Sequence, residues 1–155
     1  MSKEELGQRQ KELAEVEKER AQLEQATADM VVCGEQQPES DHFVEMENSV
    51  IGSEQGTPWR ETRGWFAYKM KSKGKPVNAV RIESFPDAAK DADVYVNEVK
   101  IGSVQGKNAL HTLLLPKELW KASEWEVKIM RGKSEVTPKF RTVRMVLSRG
   151  LLVNE

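Results

Sequence analysis

Beyond Phe43 the chain repeats one pattern: a short apolar run closed by a turn signal. The runs are Gly64 to Met70, Val77 to Ile82, Asp93 to Val96, Val99 to Val104, Leu110 to Leu115, Trp125 to Met130 and Thr142 to Leu147. Runs of this length are too short for packed helices, and seven of them within about 100 residues predict the strands of an all-β sandwich. Alternation points the same way. Trp125, Val127 and Ile129 fall on one face of their run and Glu126 and Lys128 on the other, the period of a sheet with one dry and one wet face; Val143, Met145 and Leu147 repeat it. Asn97-Glu98, between Val94-Tyr95-Val96 and Val99-Lys100-Ile101-Gly102, reads as a two-residue hairpin turn, in which Glu98 is the costlier residue for a left-handed backbone. Lys71 to Pro76 reads as another turn, and Pro116-Lys117-Glu118-Leu119-Trp120 as one helical turn opened by proline, with Leu119 and Trp120 as a plug.

The first 29 residues have a different texture. Residues 2–28 hold no proline or aromatic and consist almost wholly of strong helix formers, with Ser2 and Glu5 spaced as a capping box. Leu6, Leu13, Val16 and Leu23 form a narrow apolar stripe, but Arg9 and Arg20 occupy alternate seam positions. The helix is therefore expected to pack on its own or a neighbouring domain rather than in a two-stranded coiled coil. Met30 to Cys33 reads as a brief strand and Gly34 to His42 as a polar loop. The expected organisation is a helix over 1–29, an antiparallel jelly-roll-like β-sandwich over 30–150 and a tail over 151–155. In class this is a mainly β fold preceded by one long N-terminal α-helix.

Charge and composition exclude several functions. Residues 1–60 hold 6 Lys/Arg against 14 Asp/Glu, and 61–155 hold 18 against 11. The basic residues of the second half alternate with apolar ones, as on a solvated strand face, so no nucleic-acid partner is expected. No apolar run approaches the length of a membrane helix, so no membrane partner is expected either. One cysteine, Cys33, and two histidines, His42 and His111, give a poor ligand set, and neither a metal nor another cofactor is expected. The acidic cluster Glu35, Glu39, Asp41, His42, Glu45 and Glu47 offers hard oxygen ligands for calcium at the edge of a sandwich, but it lacks the spacing of a calcium loop and reads first as a solvated loop. No catalytic residue is legible. The nucleophile-elbow, phosphate-loop and zinc-protease motifs are missing, and Cys33, although near His42 in sequence, reads as a buried residue ending an apolar run.

The candidate binding residues are aromatic, with polar forks beside them. Trp59, Arg60, Arg63 and Trp65 lie in Trp59-Arg60-Glu61-Thr62-Arg63-Gly64-Trp65-Phe66-Ala67-Tyr68, and Asp41 and His42 add polar groups upstream. Flat rings with adjacent hydrogen-bonding side chains are how sugars are held. Strand alternation splits the segment, with Phe66, Tyr68 and Met70 on one face and Trp65, Ala67 and Lys69 on the other, so one set belongs to the core. Trp59 follows Pro58 in an expected loop and reads as the ring most free to meet a ligand.

Three segments together carry a resemblance: Gly34-Glu35-Gln36-Gln37-Pro38-Glu39-Ser40-Asp41-His42, Trp59 to Tyr68, and Asp93-Val94-Tyr95-Val96-Asn97. The chain resembles the C-terminal region of the β-L-arabinofuranosidase family of glycoside hydrolases, in which β-sandwich domains follow a catalytic helical barrel. The resemblance implies a noncatalytic accessory domain that packs on and supports the barrel of a parent hydrolase, its expected partner. It also implies a secreted or periplasmic parent. The family's cysteine nucleophile and metal-binding cysteines have no counterpart here, and Cys33 does not take that role. Recognition of plant-type glycan by a carbohydrate-binding module, through exposed aromatics, is the alternative.

Overall fold

Side-chain alternation decides which way each strand faces, and the described residues hold nine strands. In the computed structural model, which describes residues 21–148, residues 21–26 form helix α1. It is followed by β1 (Thr27–Val32), helix α2 (Gln36–Asp41), β2 (Glu45–Glu54), β3 (Thr57–Lys71) and β4 (Ala79–Ser84). Then come β5 (Asp91–Val96), β6 (Val99–Gln105), β7 (Leu110–Leu114), a 3-10 turn at Lys117–Leu119, β8 (Glu124–Arg131) and β9 (Phe140–Val146). Every strand pair is antiparallel. One layer runs β2-β3-β8-β5-β6 and the other β1-β9-β4-β7; they join where Arg60 of β3 pairs with Phe140 of β9.

The fold is mainly β, a sandwich, as the recurring runs predict. Phe66, Tyr68 and Met70 of β3, Trp125, Val127 and Ile129 of β8, Val80 and Ile82 of β4, and Val143 and Met145 of β9 are buried between the layers. Phe66 bridges them, edge-on to Tyr68 at 5.5 Å and to Phe140 at 5.7 Å between ring centroids. The proline-opened turn behaves as expected: Trp120 packs against the core and its Nε1–H donates to the Leu115 carbonyl (2.8 Å), while Trp125 Nε1–H donates to that of Leu119 (2.8 Å). At the β5–β6 hairpin both Asn97 (φ 50°) and Glu98 (φ 70°) are left-handed, as the inverse turn that matches strand twist requires.

Four departures from the sequence reading stand out. Strand β1 begins at Thr27, so residues 27–29 extend the sandwich rather than the helix; the earlier stripe residues Leu6, Leu13 and Val16, and the tail 151–155, lie outside the described residues. The polar segment after Gly34 is not all loop but contains α2, and its Glu39 is buried. Strand β2 has no counterpart in the sequence reading because it is an edge strand without a buried residue, and so has no apolar run to betray it. Trp59 likewise stands in β3, not in a loop. Among the described residues no helix is long and apolar enough to cross a membrane.

Candidate functional site

Strand β3 divides the candidate residues between its two faces. Arg60 and Thr62 are buried on the same parity as Phe66, Tyr68 and Met70; Trp59, Arg63 and Trp65 take the opposite parity and face outward. The sequence set is thus one outward strip and one inward group, not a single constellation.

The inward group is built on charge pairing. Glu39 (3% exposed) and Arg60 (4% exposed) form a two-pronged pair: Arg60 Nε–H and Nη2–H donate to the two Glu39 carboxylate oxygens, the latter at 2.8 Å. Tyr68 Oη–H donates to Glu39 Oε2, and Arg60 Nη1–H donates to Ser49 Oγ (2.8 Å) and meets Met46 Sδ (3.1 Å). Burial pushes the Tyr68 hydroxyl well above its usual range and the Cys33 thiol up to about 12, so neither is a nucleophile at neutral pH. Cys33 adjoins this group rather than His42.

His42 is engaged elsewhere. Its Nδ1 faces the Pro38 carbonyl (2.6 Å) and its Nε2 faces Asp29 Oδ1 (2.8 Å). Two acceptors demand two protons, so the ring is an imidazolium, and the bond to Asp29 holds its pKa above the usual value against the opposing effect of burial. Burial alone would raise the Asp29 carboxyl, but His42, the Lys71 backbone N–H and Lys73 outweigh it and hold Asp29 low. Asp41 lies on the surface of α2, accepting a hydrogen bond from Gln37 (2.9 Å). The acidic cluster is therefore dispersed. Glu39 serves Arg60, Glu47 serves Trp65, and among the described residues no group of three or more His, Cys, Asp and Glu could hold a metal ion.

The outward strip is the surface with free chemistry. Trp65 is half-buried; its Nε1–H donates to Glu47 Oε2 (3.0 Å) and Lys128 Nζ stands 4.4 Å from its ring centroid. Arg63 is exposed. Trp59 lies across Gly52 of β2, where a Cβ would come within 2.4 Å of Cζ2; Lys139 Nζ caps its ring at 4.8 Å, and its Nε1 is buried without a hydrogen-bond partner. Trp59 is thus more enclosed than expected, with its Nε1 buried, whereas the Trp65 Nε1–H is paired with Glu47; both rings are half-buried and each carries a lysine over its face.

Register extends the strip across the sheet. Lys128 is opposite Ala67 on one side and Tyr95 on the other, and Met130 is opposite Trp65 and Asp93. Tyr95 and Trp65 consequently face outward on strands two positions apart, about 10 Å in the hydrogen-bonding direction, with Lys128 between them. Asp93 adds an acceptor, taking the Ser103 hydroxyl (3.0 Å) beside Lys100 (3.5 Å). Tyr95, Lys128 and Asp93 escaped the sequence reading. Their parity was readable within each strand, but not the pairing that sets β8 between β5 and β3.

Comparison with solved structures gives the same fold. A family 35 carbohydrate-binding module from an environmental isolate superposes with a TM-score of 0.57 at 15% identity, over 77% of this chain and 93% of that one. The carbohydrate-binding module CBM36 in complex with calcium and xylotriose gives 0.51 at 10% identity, over 74% and 97%. The GH26-CBM35 β-(1,4)-mannanase of Podospora anserina gives 0.52 at 9% identity, over 79% of this chain but 28% of that one. The calcium named for the second belongs to that protein; among the described residues of this chain no group of three or more His, Cys, Asp and Glu could hold a metal ion. No curated protein sequence matches the chain. Residues 22–146 match the family described as "Family of unknown function (DUF6805)", and the chain belongs to that family.

Proposed function

We propose that this domain is a noncatalytic carbohydrate-binding module, and that the outer face of β3, β8 and β5 is its glycan platform. The observation that carries the reading is the half-buried Trp65 ring, hydrogen-bonded to Glu47 and with Lys128 over its face, with Tyr95 beyond and the exposed Arg63 two residues before it on β3. Apolar sugar faces stack on such rings while neighbouring charged and hydroxyl groups take the sugar hydroxyls. The carbohydrate-binding modules that share the fold support this at a coarse level. Burial pushes the Cys33 thiol and the Tyr68 phenol away from ionisation, and the His42 imidazole is held by a carbonyl and a carboxylate, which supports a structural rather than a catalytic role for these three groups. Electrophoresis of wild type and Trp65→Ala through gels containing soluble arabinan, xylan or mannan tests it: retardation of wild type, lost in the variant, is expected, and equal mobility of both in every gel contradicts it.

A second reading is that the domain also docks on the catalytic domain of a parent glycoside hydrolase, of the β-L-arabinofuranosidase type or another. It is favoured by Met46 (42% exposed), Val50 (56%) and Ile51 (52%), which stand along the open edge of β2. The Podospora anserina mannanase, where the similar region is one part of a larger hydrolase chain, supports such an arrangement.

A further inference from the structure

The ending of α2 is built on the wrong residue for stability. After the C-cap His42, Phe43 N–H donates to the Ser40 carbonyl (3.1 Å) and Val44 N–H to that of Glu39 (3.1 Å). These are the paired bonds of a Schellman ending, whose left-handed residue is ordinarily glycine. Here it is Phe43, at φ 51°. A Cβ in that conformation costs energy, and burial does not offset it: the ring is 61% exposed, more than any other large apolar side chain described. Strain at an exposed aromatic points to a use for the ring.

The surroundings define that use. Phe43 and Ile51 form apolar walls of a cleft of about 420 Å³ between α2 and the β2–β3 hairpin. Gln36 and Ser40, one helical turn apart on the same face of α2, line the polar side, and the Glu39–Arg60 pair lies at the floor. That pair is matched charge for charge, so the lining carries no net charge; among the described residues the cation beside the Phe43 ring is Lys69, with Nζ 5.7 Å from its centroid. Its volume lies at the low end for small-molecule sites, enough for one ring rather than a chain. Resting on the glycan-binding reading, we propose that this cleft is a second sugar subsite. It takes a single uncharged sugar ring, whose C–H face stacks on Phe43 and whose hydroxyls bond Gln36 and Ser40.

Phe43→Gly separates the role of the ring from the fold, because glycine is the residue the helix ending prefers. Titration calorimetry with neutral arabino-, xylo- and manno-oligosaccharides, alongside urea unfolding, is the experiment. The expected result is at least about a tenfold loss of affinity with an unfolding midpoint equal to or above that of wild type; Phe43→Asn, which also tolerates the left-handed backbone, reproduces the loss. Unchanged affinity in Phe43→Gly, with binding abolished in Trp65→Ala, overturns the cleft and leaves the platform standing. Binding of acidic glycans alone also overturns it. Wild type that binds no oligosaccharide removes both proposals.

Discussion

Replacing Glu39 by leucine tests whether the inward group is a structural device. Glu39 and Arg60 are almost fully buried, and Glu39 accepts hydrogen bonds from both prongs of the guanidinium and from Tyr68. Leucine leaves a buried guanidinium without its carboxylate, which costs about 3–5 kcal/mol, and a buried phenol without its acceptor, about 1–3 kcal/mol. The losses share one network and do not simply add, so about 5 kcal/mol is expected. That rivals the whole stability of a marginal domain. Arg60→Met alone also strands a charge. The double variant Glu39→Leu/Arg60→Met strands none, and is expected to be more stable than either single variant by about 2 kcal/mol or more, since an apolar pair of similar volume replaces an ion pair at little net cost. Urea unfolding followed by tryptophan fluorescence reads all four members of the cycle. If Glu39→Leu loses under about 1 kcal/mol, or the double variant is no better than the worse single one, the pair is not what holds α2 to β3.

Two further outcomes follow from the geometry. His42→Ala removes the imidazolium from Asp29 and should cost about 2 kcal/mol at pH 6. Because the folded pKa of His42 is raised, its contribution is fully present below about pH 6.5 and is lost as pH rises through the folded value; because that of Asp29 is lowered, its contribution is lost only as pH falls through a value below 3.8. The gap between wild type and variant in chemical unfolding should therefore narrow from pH 6 to pH 9; a gap that widens contradicts the assignment. Glu98→Gly relieves a left-handed residue in the β5–β6 turn and should raise stability by about 1 kcal/mol, seen as a higher thermal midpoint; a lower midpoint would mean that the Glu98 side chain matters more than its backbone.

The layers were legible where burial imposes a period. Trp125-Val127-Ile129 and Phe66-Tyr68-Met70 announce their inward faces because each alternate residue meets core. Strand β2 announces nothing: among the described residues it pairs only with β3, and its polar and apolar residues alike face solvent. Helix α2 is six residues long and contains Pro38, and its one buried side chain is Glu39, whose partner Arg60 is 21 positions away. A buried glutamate reads as a surface one until its arginine is located. The same gap in pairing knowledge put Trp59, Arg60 and Trp65 into one candidate site, although parity already divides Arg60 from the two tryptophans. It also concealed Tyr95, which is brought toward Trp65 only by the intervening β8.

On the proposed function the outer face of β3, β8 and β5 recognises glycan without transforming it. Amide and indole chemical shifts of labelled protein, followed during titration with a neutral oligosaccharide, test it most directly. Saturable shifts gathered at Trp65, Tyr95, Lys128 and Asp93, with the sugar recovered intact, are the predicted result; shifts confined to the β1-β9-β4-β7 layer, or cleavage of the sugar, would contradict it.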